Sequence, residues 1–184
     1  YVPPAPGNSG LAVGTALCFL EGSIPRLEMK HAFWGTEYSD EEIRREFEQE
    51  GMIFDSIDSP APVAADLLEQ GLAIAWFQGR MEYGPRSLGS RCILMSPSAA
   101  NLAMVKKRDE LKPFGVSILL EEAGEYFLDV QYSPFMSFMG RVKPDRRVAF
   151  EKLLLNDYCR YQTVDSGNPL LFPLLKEFYR RTGV

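Results

Sequence analysis

Histidine is almost absent from this chain. His31 is the only one in 184 residues, so a Ser-His-Asp or Cys-His mechanism would rest on one side chain with no neighbouring nucleophile or orienting motif. Cysteine is nearly as scarce. Cys18, Cys92 and Cys159 are widely separated, lack CxxC spacing and lie in apolar surroundings, which reads as buried thiols in a reducing compartment rather than disulfides or a zinc site. A cytoplasmic location is expected from that, and no set of His, Cys, Asp and Glu has metal-ligand spacing. Long apolar runs are missing too: residues 72–77 and 116–120 are the longest, far short of the ~20 residues that cross a bilayer. There is no excess of positive charge, with 20 Lys and Arg against 25 Asp and Glu and a net charge of -5, so no basic field exists to hold nucleic acid. A Walker GK[ST] loop, internal repeats and low-complexity tracts are likewise missing. The chain starts at Tyr1 without a methionine or a signal peptide, reads as a piece of a longer protein, and is expected to continue into a strand beyond Val184.

What is present suits one sizeable core. Hydrophobic residues make up 46% and charged residues 24% of the chain, normal for a globular domain. A proline-rich start leads to a small, apolar helix over 11–20, with Asn8 or Ser9 as its N-cap and Gly10 and Gly14 allowing close backbone approach. Residues 22–35 read as a connector. Ser39 followed by Asp40, Glu41 and Glu42 makes a capping box for a helix with Ile43 and Phe47 on one face, ending near Gly51. Residues 58–62 read as a turn, 63–70 as a helix stopped by Gly71, and 72–77 as a strand. Further strands are expected at 91–95, 116–119 and 160–164, and helices at 101–108, 146–152 and 170–181. This alternation predicts an α/β or α+β domain with a mixed sheet, its boundary with the leading segment falling within 28–62.

The chemistry concentrates in residues 77–91, FQGRMEYGPRSLGSR. Gly79, Gly84 and Gly89 with Pro85 turn the backbone sharply after a buried strand while Arg80, Arg86 and Arg91 bring guanidiniums to one place, an anion pocket suited to bidentate phosphate. The alternative is a surface loop whose arginines pair with nearby carboxylates, Arg86 with Glu82 for example. A second stretch, KKRDELKPFGVS at 106–117, ends in Lys112 at the mouth of a strand and could close the other side of such a site, while Lys107 reads as solvated. In a third, DYCRYQT at 157–163, Arg160 stands alone in an apolar strand and needs an anionic partner, either a ligand or a carboxylate such as Glu125 or Asp129.

Residues 77–89 resemble the signature of the nodulation and antibiotic O-carbamoyltransferases, and the resemblance extends over nearly the whole chain. PPAPGNSGLAVGTA at 3–16 is similar to the last motif of that family's N-terminal ASKHA-like domain, 33–43 to its connector, 106–119 to its K-x-R-E-x-x-R-P-F segment, 133–138 to its SPFM segment and 160–164 to its R-V-Q-T-V segment. The resemblance implies an ASKHA-like end at 1–30, a connector at 31–59 and a YrdC-like C-terminal domain at 60–184, a mixed twisted sheet flanked by helices. It implies that carbamoyl phosphate and ATP give carbamoyl adenylate in the YrdC-like domain. The N-terminal domain, carrying Mg or Fe held mainly by residues outside this chain, would then pass the carbamoyl group to a small hydroxylated acceptor. By position, Arg80 and Arg86 are the catalytic cations, and Arg80, Arg86, Lys106, Arg108, Lys112, Ser117 and Arg160 line the substrate and nucleotide site. Homodimerisation is left open. Three departures point to a domain that binds phosphate or nucleotide without turnover. Asn8 stands where the family usually has a metal-binding aspartate and, as a neutral amide, is the weaker ligand. Lys112 replaces an arginine and loses the bidentate fork. Asn156, Asp157, Tyr158 and Cys159 replace D-G-T-A, with Leu154 near a usual histidine.

Overall fold

The computed structural model describes residues 2–20, 29–98 and 114–184. A 3-10 turn at Asn8–Gly10 leads into α1 (Leu11–Phe19). Gly10 is its N-cap and no side chain caps it, because Asn8 and Ser9 are used up in the preceding turn. A Cβ on Gly10 would run into the Ala5 carbonyl, the close approach expected there, whereas Gly14 faces open space. No residue of α1 is buried.

The capping box forms as expected. Ser39 N donates to Glu42 Oε2 at 2.8 Å and Glu42 N to Ser39 Oγ at 3.2 Å, starting α2 (Asp40–Gln49) with three acids in its first turn, where the helix dipole favours them. α3 (Pro60–Glu69) begins three residues before the expected start. Pro60 and Pro62 sit within its first turn, where backbone N–H groups have no intrahelical acceptor and their loss is harmless.

β1 (Ile74–Phe77) pairs antiparallel with β2 (Arg91–Leu94), Trp76 opposite Cys92. A second, mixed sheet has the order β3-β5-β4: β3 (Gly115–Leu119) runs parallel and β4 (Phe138–Arg141) antiparallel to the central β5 (Tyr158–Val164). The mixed α/β architecture expected from the sequence is therefore present. The expected helix over 146–152 is a short α5 (Arg147–Phe150) between 3-10 turns at Pro144–Arg146 and Glu151–Leu153. A further short helix, α4 (Ala123–Tyr126), follows β3. The chain closes on α6 (Phe172–Thr182), capped by a left-handed Gly183. The helix expected at 101–108 lies outside the described residues.

β5 separates two cores, as strand alternation requires. Cys159 and Tyr161 pack with Phe127, Val142 and Phe150, the Tyr161 and Phe127 rings stacking at 4.6 Å. Val164 belongs to the other core, with Trp76, Ala65, Leu171 and Leu174. The cysteines divide differently from expectation: Cys159 is buried, Cys92 half-buried and Cys18 exposed on α1, a helix with no buried residue. Burial pushes the Cys159 thiol up to about 12, opposed by the positive charge of Arg160. Among the described residues no helix is long and apolar enough to cross a membrane.

Candidate phosphate-binding site

The loop joining β1 to β2 is built around one carboxylate. Glu82 Oε1 accepts the backbone N–H groups of Leu88 and Ser90, each at 2.8 Å, and of Arg91 at 3.4 Å. Partial burial works against ionisation of Glu82. Hydrogen bonding from the loop, with the Ser90 and Leu88 amides among the donors, more than compensates, so its pKa is held below the usual carboxylate value. The Glu82 carboxylate thus serves the loop's own backbone and is not the partner of Arg86.

Arg91 is also turned inward. Its guanidinium donates to the carbonyls of Gln78 and Ser90 at 3.0 Å and of Gly79 at 2.9 Å, and its Cζ lies 3.5 Å from the centroid of the Phe77 ring. The sequence grouped three arginines as anion ligands. Arg91 is removed from that group, because the carbonyls of Gln78, Gly79 and Ser90 take up its donors. Arg80 is exposed and Arg86 half-buried, and among the described residues neither has a hydrogen-bond or ion-pair partner.

Segments far apart in the chain meet at this loop. The Leu88 carbonyl accepts from Gln162 Nε2 at 3.0 Å and from Asn168 Nδ2 at 3.1 Å. Gln162, buried in β5, in turn accepts at Oε1 from Ser117 Oγ at 2.9 Å, and Ser117 lies opposite it in β3. Arg160 is two residues from Gln162 on the same face of β5, half-buried and opposite Gly115. Residues 133–137 are tied to the same strand: Ser133 N donates to Thr163 Oγ1 at 2.8 Å and Ser133 Oγ to the Tyr161 carbonyl at 2.9 Å. Phe135 packs with Leu88 and Ala32, with Phe33 and Met136 against them. Residues 32–36 run beside the loop, Tyr83 N donating to the Ala32 carbonyl and Gly35 N to the Met81 carbonyl. The Tyr83 hydroxyl reaches the Ser9 carbonyl at 3.3 Å.

Of the residues singled out from sequence, Ser117 is thus joined to the loop that carries Arg80 and Arg86 through Gln162 and Leu88, and Arg160 lies on the same face of β5 as Gln162. Glu125, one carboxylate weighed as a partner for Arg160, pairs instead with Arg146 at 3.6 Å. Lys106, Arg108 and Lys112 lie outside the described residues. Asn8 is exposed at the start of its turn. Among the described residues no group of three or more His, Cys, Asp and Glu could hold a metal ion. Asn156 and Asp157 adopt left-handed backbone, φ 50° and 71°, within a tight turn in which Leu155 and Tyr158 exchange backbone hydrogen bonds. Asn and Asp tolerate that conformation better than other non-glycine residues, so the substituted segment still makes a tight turn. Asp157 pairs with Arg147 at 2.9 Å.

Sequence reading missed Glu82, Gln162 and Asn168 as organisers. Gln162 carried a signal, being a neutral polar residue inside an apolar strand, where an unpaired amide is costly. Glu82 carried none, since a carboxylate among arginines reads first as their ion-pair partner.

The carbamoyltransferase C-terminus family model matches residues 65–184. Across its whole length the chain is 34% identical to nodulation protein NolNO of Sinorhizobium fredii and 32% identical to nodulation protein NolO of Bradyrhizobium diazoefficiens, covering 29% and 36% of those proteins. It is 31% identical over its whole length to the 3'-hydroxymethylcephem-O-carbamoyltransferase of Amycolatopsis lactamdurans, covering 35% of that enzyme. The chain therefore spans about a third of the length of these relatives. With the family model covering most of its residues, the chain belongs to the carbamoyltransferase C-terminus family.

Proposed function

We propose that this chain supplies the carbamoyl phosphate and nucleotide site of an O-carbamoyltransferase. In this reading water releases inorganic phosphate from carbamoyl phosphate to leave carbamate, the carbamate oxygen displaces pyrophosphate from ATP to give carbamoyl adenylate, and the carbamoyl group then passes to a hydroxyl of a sugar or secondary metabolite with AMP as the leaving group. The observation that carries the reading is the loop at 78–91. Its one central carboxylate and one of its three arginines are consumed by its own backbone, which leaves Arg80 and Arg86 without a partner among the described residues. Guanidiniums held on a stiff loop cost little reorganisation when an anion arrives, and phosphate suits their paired donors. Ser117 and Arg160 stand on the sheet face linked to that loop through Gln162, and Lys106, Arg108 and Lys112 complete the set of cations in this proposal. The whole reaction belongs to the longer proteins that the relatives represent, where the acceptor side, with its divalent metal, lies mainly outside these residues. The relative named 3'-hydroxymethylcephem-O-carbamoyltransferase supports a hydroxylated small molecule as acceptor.

The test is transfer of label from carbamoyl phosphate to a panel of hydroxylated acceptors by the full-length gene product. ATP-dependent labelling of one acceptor class is expected. Binding of ATP and carbamoyl phosphate without labelling of any acceptor would favour a nucleotide-binding domain without turnover, the reading to which Asn8 and Lys112 point. Absence of binding to either would remove the proposal altogether.

A further inference from the structure

We propose that Glu82 is the positioning residue of the phosphate loop: its carboxylate fixes where Arg86 stands and thereby sets the affinity for carbamoyl phosphate. The inference rests on the reading of Arg86 as a phosphate ligand. Glu82 lies four residues before Arg86, and the amides it binds, those of Leu88, Ser90 and Arg91, begin two residues after it. Arg86 is therefore carried on a ring closed by a side chain, with Pro85 fixing one backbone angle immediately before it. The ring cannot open outward freely, because the Leu88 carbonyl is held from the other side by Gln162 and Asn168. Nor can it slide along β1 and β2, because Arg91 ties Gln78 and Gly79 to the far end of the loop.

A negative charge this close to a phosphate site is otherwise unfavourable, since like charges repel. Here the charge is compensated by three amide donors, which is why Glu82 stays ionised although partly buried. Two accounts of Glu82 then differ in sign. If it acted on the phosphate only through its charge, removing the charge would tighten binding. If it positions Arg86, removing the charge weakens binding, because a neutral amide oxygen is the poorer acceptor and its NH2 group is the wrong partner for backbone N–H.

Calorimetric titration of the full-length gene product with carbamoyl phosphate decides this, using wild type, Glu82→Gln, Glu82→Ala, Arg86→Ala and the Glu82→Ala/Arg86→Ala double variant, each corrected for its folded fraction. Glu82→Gln should weaken binding by roughly 3- to 10-fold and Glu82→Ala by roughly 30-fold or more, reflecting lost charge-assisted hydrogen bonds. The double variant should bind no more weakly than Arg86→Ala alone, within about threefold, because Glu82 acts through Arg86. Wild-type affinity per folded molecule in both Glu82 variants, tighter binding by Glu82→Gln, or additive losses in the double variant would overturn the positioning role. Undiminished binding by Arg86→Ala would instead overturn the phosphate-ligand reading itself, and the inference with it. Should Glu82→Ala fail to fold, Glu82→Gln keeps the carbonyl oxygen in place and carries the test.

Discussion

In the proposed function, Arg86 is the residue on which most of the chemistry depends. A two-pronged guanidinium contact loses one hydrogen bond in Arg86→Lys and both in Arg86→Ala, each contributing roughly 1.5–3 kcal/mol. Lysine should therefore weaken carbamoyl phosphate binding on the order of tenfold and alanine on the order of a hundredfold, at ~1.4 kcal/mol per decade, with thermal melting unchanged in both. Lowered melting temperature with retained affinity would instead assign Arg86 a structural part. Glu82 adds a pH signature. Its folded pKa is lowered, so its contribution to stability is fully present above the ordinary carboxyl value of about 4.3 and is lost as pH falls through the lower folded value. The difference in unfolding free energy between wild type and Glu82→Gln should be flat above about pH 4.3 and shrink below it. A difference that did not change between pH 6 and pH 2 would mean that the carboxylate is not ionised differently in the folded state. Arg80 and Arg86 were legible as candidates from glycine and arginine spacing alone. The inward turn of Arg91 was not, because which carbonyls the turn would bring around its guanidinium is decided only by the folded backbone.

Among the elements, the loop and α6 depend on each other. Gly89 has φ +124°, and a Cβ there would lie 2.5 Å from Leu171 Cγ, just before α6 begins and within the core that holds Trp76 and Val164. Trp76 Nε1 also donates to the Gly89 carbonyl at 2.9 Å. Gly89→Ala should cost about 3 kcal/mol or more in urea unfolding, from backbone strain together with overlap against a buried leucine. A cost under about 1 kcal/mol would mean that the loop and α6 give way independently. The capping box of α2 was legible because its four residues are local. β4 was not, since Phe138, Met139, Gly140 and Arg141 show no alternation; the strand exists because Phe127 and Tyr161 close over Gly140, where a Cβ would sit 2.6 Å from Phe127 Cδ1. The helix expected at 146–152 is broken into 3-10 and α turns, so the apolar residues Val148, Ala149 and Phe150 there signalled burial of Phe150 more than length of helix.

At the scale of the whole molecule, the β1–β2 loop is surrounded by residues 32–36, 117, 133–137, 162 and 168, and these include parts of most segments that resemble the carbamoyltransferases. Such convergence was not legible in the sequence, where the segments are separated by up to about 130 residues and only their resemblance linked them. Away from this site, Leu11 and Phe19 on α1 and Ile53 beyond α2 are exposed. Residues 1–184 on their own should therefore associate in solution, and Leu11→Ser with Phe19→Ser should reduce the scattering mass; a monodisperse monomer at high concentration would contradict this. The central claim, that the loop binds carbamoyl phosphate for reaction with ATP, is tested most directly by pyrophosphate release from ATP by the full-length gene product. Release that requires carbamoyl phosphate and falls on the order of a hundredfold in Arg86→Ala is the predicted result. Release that proceeds equally without carbamoyl phosphate, or that survives Arg86→Ala unchanged, would contradict it.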